Sequence, residues 1–167
     1  MNKVRAVRGA LRRWLRSAEK LVVVGVGNEL RRDDFVGVEV VRRLEGKVPK
    51  SVMLIESETV PESFLETITQ FHPTHVLLID AGFTESQRGH ITFMESSEAL
   101  GSATAVSTHT LPLRVFCDYL KETVDAKVAL AVVQPETTDF GEGLTREVER
   151  AAEHLTKILV ELLNTQS

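Results

Sequence analysis

Hydrophobic positions along this chain follow two periods in alternation. Positions 21–26 form a continuous apolar run that ends at Gly25-Val26-Gly27. Such a run predicts a strand buried on both faces. Positions 34–44 then repeat apolar residues at helical spacing and are closed by Gly46 and Pro49. The alternation continues with a strand at 51–56 and a helix at 61–71, whose first turn carries Pro61. A third strand is predicted at 75–80. A fourth at 89–95 is short and mixed in polarity, which suits a sheet edge. A helix at 110–124 sets Leu111, Val115, Phe116, Tyr119 and Leu120 on one side. A fifth strand at 127–133 precedes a long helix at 144–163, with Leu144, Val148, Ala152, Leu155, Leu159 and Leu162 as its inner stripe. Strands separated by helices of this length build an α/β fold: a mostly parallel sheet of five strands covered by helices on both faces.

The first 20 residues stand apart. Val4, Val7, Leu11, Trp14 and Leu15 recur at spacings of three and four, a helix with one apolar face. Seven Lys and Arg face one Glu in this stretch, against 13 basic and 23 acidic residues in the remainder. We read residues 1–20 as a basic amphipathic helix whose apolar face packs on its own domain or on a partner protein. Residues 21–167 are read as one α/β domain. Binding of nucleic acid or insertion into a membrane is not expected.

Composition narrows the class. The chain has 167 residues, 43% of them hydrophobic and 26% charged, a soluble globular balance. Its one cysteine, Cys117, excludes an intramolecular disulfide and any cysteine-rich metal site. Beside Leu113, Phe116 and Leu120 it reads as core. No secretory pattern follows the basic start, so a cytoplasmic location is expected.

In sheets of this kind the site lies beyond the carboxyl ends of the strands. Strand one is followed by Gly25, Gly27, Asn28, Asp33 and Asp34. A dinucleotide fingerprint is met only in part, because Leu30 occupies the third glycine position. The glycines are better read as letting backbone approach closely. One of the paired aspartates would serve as a helix N-cap. Strand two ends in Glu56, Ser57 and Glu58, and strand three in Asp80 after Val76-Leu77-Leu78-Ile79. A carboxylate ending a buried strand is costly without a partner. His109 stands at the entrance of the helix 110–124. Winding the sheet as above brings Asp34, Asp80 and His109 together. Two carboxylates and an imidazole suit a borderline divalent ion and leave positions open for water or substrate. Gln134-Pro135, after strand five, either sets an amide over the same crevice or makes a turn. Neither G-x-S-x-G nor H-E-x-x-H occurs, so hydrolysis would be metal-assisted or use the carboxylates directly.

Together these residues resemble the hydrogenase maturation endopeptidases, which clip a C-terminal extension from the large-subunit precursor of nickel–iron hydrogenases. The resemblance rests on Gly25-x-Gly27-Asn28 with Asp33-Asp34, on Ile79-Asp80-Ala81, on Thr108-His109-x-x-Pro112 and on Gln134-Pro135, and spans about 21–163. It implies a twisted five-stranded sheet between helices. It implies Asp34, Asp80 and His109 as both metal-binding and catalytic residues, and nickel carried by the substrate. The partners it implies are the large-subunit precursor and an accessory chaperone. Three features depart from the family pattern, the first being the basic N-terminal helix outside the motif region. Phe35 stands where a glycine commonly follows the aspartate pair, which takes away backbone freedom and sets a ring near the site. Glu56-Ser57-Glu58 stands where relatives often have Asp-Gly-Gly, which makes Glu56 a further candidate.

Three other readings stand beside this one. A self-contained metal-dependent peptidase or amidase would carry its own ion. A receiver-like phosphoacceptor domain needs a lysine where this chain has Gln134-Pro135. A binding protein would act through the basic helix.

Overall fold

The computed structural model describes residues 3–95, 106–107 and 109–165. Thr108 lies outside them, as do the side chains of Val4, Leu111 and Pro112. The elements run α1 (Lys3–Leu15), β1 (Leu21–Val26), α2 (Val36–Leu44), β2 (Val52–Glu58), α3 (Leu65–Phe71), β3 (His75–Phe83), β4 (Ile91–Met94), β5 (Val106–Ser107), α4 (Thr110–Val124), β6 (Lys127–Val133) and α5 (Arg146–Asn164). The main sheet has the order β2-β1-β3-β6-β4. All its neighbours pair in parallel except β4, which runs antiparallel to β6 at the edge, as its mixed polarity predicted. The two-residue β5, absent from the sequence reading, pairs with the end of β3 and extends that strand to Phe83.

Both faces of the inner strands are apolar, which explains their unbroken runs. Val23, Leu77, Ile79, Ala129 and Ala131 point to one side, where α1, α2 and α5 cover them. Val22, Val24, Val76, Leu78, Val128 and Leu130 point to the other, beneath α3 and α4. The result is a three-layer αβα sandwich. Val7, Leu11, Trp14 and Leu15 of α1 are buried in the first of these cores. Among the described residues no helix is long and apolar enough to cross a membrane.

Element ends differ from the sequence reading in instructive ways. The helix expected at 34–44 opens with a 3₁₀ turn, Arg32–Phe35, before α2 begins. The helix expected at 61–71 does the same at Pro61–Phe64. The last helix starts at Arg146, after an extended Thr145. On α4 the stripe is corrected: Val115 and Tyr119 are exposed, while Leu113, Phe116, Cys117 and Leu120 are buried. Those four keep the i, i+3, i+4, i+7 spacing of one helix face.

The chain leaves β1 through α2 to reach β2, then returns through α3 past β1 to β3. Strand order therefore reverses between β1 and β3, where a crevice opens at the strand ends. The last β1–β3 pair is Gly25 with Ile79, so Asp80 is the first β3 residue beyond β1.

Candidate active site

Three glycine contacts seat the loop after β1. A Cβ on Gly25 would lie 2.4 Å from the Gly37 carbonyl oxygen, and one on Gly37 would lie 2.0 Å from that of Ile79. Gly27, with φ +152°, has the Asp34 carbonyl oxygen 2.0 Å from where its Cβ would be. These close approaches press the start of α2 onto the ends of β1 and β3. They account for the glycines without a nucleotide.

The paired aspartates then part company. Asp33 is fully buried and faces away from the crevice. It accepts backbone N–H groups from Glu136 (2.9 Å), Thr137 (3.2 Å) and Thr145 (2.7 Å), and the Thr145 hydroxyl at 2.7 Å. It ties the loop after β1 to the loop that leads into α5. Neither aspartate caps the helix that follows it, which corrects the N-cap expectation. Asp34 turns into the crevice at 4% exposure, and its Oδ2 accepts the Asn28 N–H at 3.1 Å.

Asp80 meets Asp34 from β3, at the first residue past its pairing with β1. It is fully buried, and its Oδ1 accepts the N–H of Ala81 at 2.8 Å. His109, at the entrance of α4, lies between the two carboxylates. Its Nδ1 is 3.1 Å from Asp80 Oδ2 and its Nε2 is 3.8 Å from Asp34 Oδ2. A carboxylate only accepts, so in the neutral ring Nδ1 carries the proton and Nε2 presents its lone pair on the Asp34 side. Burial pulls the His109 pKa down, but the hydrogen bond to Asp80 and the charges of Asp80 and Asp34 outweigh it, so the net shift is upward.

The three expected residues can each offer one ligand atom, all within 4.8 Å of one another. Donors about 2.1 Å from an ion lie no more than about 4.2 Å apart, so a small closure would let the three hold a divalent ion. Two oxygens and one imidazole nitrogen suit a borderline transition metal.

The remaining candidates lie elsewhere. The Gln134 amide joins loops: its Oε1 accepts the Thr84 N–H at 2.7 Å, and its Nε2 donates to the Pro135 carbonyl. Glu56 is held by Arg42 and is not brought into the cluster. Glu56 pairs in register with Gly25, and the register shifts only beyond it, where Val26 pairs with Glu58. Ser57, the extra residue, donates its hydroxyl to the Gly25 carbonyl. Phe35 has φ −84°, ordinary helical backbone, so glycine's freedom is not needed there. Cys117 is buried, and burial pushes its thiol up to about 12, which leaves it inert at neutral pH.

Comparison with known proteins bears on the family and the fold. A family model described as HycI, hydrogenase maturation protease, matches residues 38–162, a stretch that contains Asp80 and His109 and starts just after Asp34. A protein of Methanocaldococcus jannaschii classed as a hydrogenase maturation protease is 33% identical over 157 residues, covering 89% of this chain and 91% of its own. The hydrogenase 3 maturation protease of Escherichia coli K12 is 25% identical over 132 residues, 79% of this chain and 83% of its own. The crystal structure of the [NiFe] hydrogenase maturation protease HycI from Thermococcus kodakarensis superposes with a TM-score of 0.85 at 31% identity, covering 93% of this chain and 99% of that one. The chain belongs to the hydrogenase maturation protease family, and its fold is the fold of those peptidases.

Proposed function

We propose that this protein removes the C-terminal extension from the nickel-loaded large-subunit precursor of a nickel–iron hydrogenase. The observation that carries the reading is the convergence of Asp34, Asp80 and His109 at the strand-order reversal of a chain in this family. On this reading nickel arrives as part of the substrate. The protein recognises a loaded precursor by completing the coordination of its ion. A divalent ion polarises a carbonyl and brings the pKa of bound water toward about 7. Asp34 and Asp80 supply carboxylate oxygens and His109 supplies an imidazole nitrogen. On this reading an aspartate oxygen left off the ion would take the proton from the attacking water, and that proton would pass on to the leaving amine. Asp80 also fixes the ring of His109 through Nδ1.

Asp34→Asn tests the site. It keeps the shape of the side chain and removes its charge. Loss of a general base or ligand of this kind costs about 100-fold or more in rate. Conversion of the precursor, followed by mass, is expected to fall by at least that factor while the thermal unfolding curve stays close to wild type. Undiminished processing by Asp34→Asn overturns the assignment.

A further inference from the structure

Arg31 is not one of the three clustered residues, yet the fold fixes it beside them. The loops after β1 and β6 flank β3 in the sheet order and meet beyond its end. Arg31 pairs with Gly141, the Arg32 N–H donates to the Gly141 carbonyl at 3.1 Å, and the Gly141 N–H donates to the Leu30 carbonyl at 2.9 Å. The joined loops wall one side of the crevice that Asp80 enters from β3. Asp34 lies on the same turn as Arg31, whose carbonyl accepts the Asp34 N–H at 3.1 Å.

The Arg31 side chain is held at its middle and open at its tip. Its Nε donates to the Thr138 carbonyl at 3.0 Å, and its guanidinium carbon lies 5.7 Å from the centre of the Phe140 ring. Arg42, Arg43 and Arg88 each hold a glutamate. Among the described residues no carboxylate lies within ion-pair distance of Arg31. The Nη groups therefore keep donors for another acceptor. Burial and the Arg31 charge both oppose protonation of His109, against the pull of Asp80 and Asp34, so this cation is close enough to act on the cluster.

Peptide hydrolysis creates the acceptor. Water adds to the carbonyl carbon, and the C=O electron pair moves to the oxygen. The oxyanion then collapses as the C–N bond breaks, and the proton lost by the water goes to the leaving amine. Asp34 and Asp80 bring only negative charge to that oxygen, so a donor from another wall is needed beside the ion.

We propose that Arg31 is the oxyanion donor of this site: its Nη groups hydrogen-bond the scissile carbonyl oxygen and hold it as it becomes negative. The inference rests on the function proposed above and adds a catalytic residue to it. Lysine is no substitute, because only a planar fork bonds Thr138 through Nε and the substrate through Nη together.

Two measurements test it, the first without any precursor. The 15N-labelled full chain, given Zn2+ as a diamagnetic counterpart of nickel, is titrated with dimethylphosphinate, a tetrahedral anion shaped like the oxyanion. The probe is expected to shift the Arg31 Nε resonance and the amides of Arg31, Thr138 and Phe140. Arg31→Gln is expected to weaken its binding about tenfold while leaving Zn2+ affinity within about threefold. Equal phosphinate affinity in the two proteins, or no response at Arg31, overturns the proposal whether or not any precursor is cut. The second measurement uses a precursor that the wild-type protein processes. Arg31→Gln is expected to lower kcat about 100-fold with KM within about threefold, and Arg31→Lys to lower kcat about tenfold. A raised KM with unchanged kcat in both variants overturns the oxyanion role and leaves the processing activity standing.

Discussion

Asp33 and Asp34 are neighbours in sequence, yet their carboxylates end in different surroundings. Asp33 accepts four hydrogen bonds from residues more than 100 positions away. Asp33→Ala leaves those donors unpaired, at a cost of about 3 kcal/mol or more in urea unfolding. A loss under about 1 kcal/mol would contradict its structural role. Glu58→Gly relieves a left-handed residue worth about 1–2 kcal/mol, partly offset by the freedom glycine gives the unfolded chain. The Tm of that variant is expected to equal or exceed the wild-type value, and a clear decrease would mean that Glu58 is not strained. At the opposite end of the sheet His75 is 1% exposed and lies edge-on to Trp14, the only tryptophan, with ring centroids 4.8 Å apart. Burial lowers its pKa from the ordinary 6.5, and the charge of Lys127 adds to the effect. The folded state therefore resists a proton that the unfolded chain accepts. Stability falls as pH drops through 6.5 and continues to fall until the folded His75 titrates. Trp14 fluorescence should titrate below pH 6.5 in wild type and not in His75→Gln; a midpoint above 6.5 would reverse the sign.

Among the elements, α1 shows how far periodicity can be trusted. Its apolar stripe was legible at spacings of three and four, and Val7, Leu11, Trp14 and Leu15 are all buried. Replacing Arg5, Arg12 and Arg16 with Gln is expected to leave thermal stability within about 0.5 kcal/mol of wild type, as for other surface changes. Removing residues 1–16 is expected to cost several kcal/mol, because four large side chains leave the core. Equal effects from the two changes would contradict this division of the helix. The contacts of α2 were less legible. Only the structure shows that Gly37 sits against the Ile79 and Val26 carbonyls. Gly37→Ala must lift α2 and with it the turn carrying Asp34. Exposed Val115 and Tyr119 were misread for a related reason: α4 has apolar residues over more than one face, and sequence does not say which face the sheet takes.

For the whole molecule, the sheet and the site were legible because both follow from where the polar groups fall. Buried strands announce themselves as unbroken apolar runs, and Asp80 interrupts one of them inside β3. Winding such strands places the residues after β1 and β3 at one crevice, and His109 joins them there. What could not be read depends on distance or on local irregularity. The partners of Asp33 lie far along the chain, and a one-residue irregularity at Ser57 sets Glu58 out of step with Glu56, so that Val26 pairs with Glu58. The central claim is that the ion is read on the substrate by Asp34, Asp80 and His109. The most direct measurement mixes the purified protein with a large-subunit precursor prepared with and without nickel and follows the loss of C-terminal mass. The account predicts cleavage of the nickel-loaded precursor alone, abolished by His109→Ala. Equal cleavage of both precursors would contradict it and would make the protein a peptidase that carries its own ion.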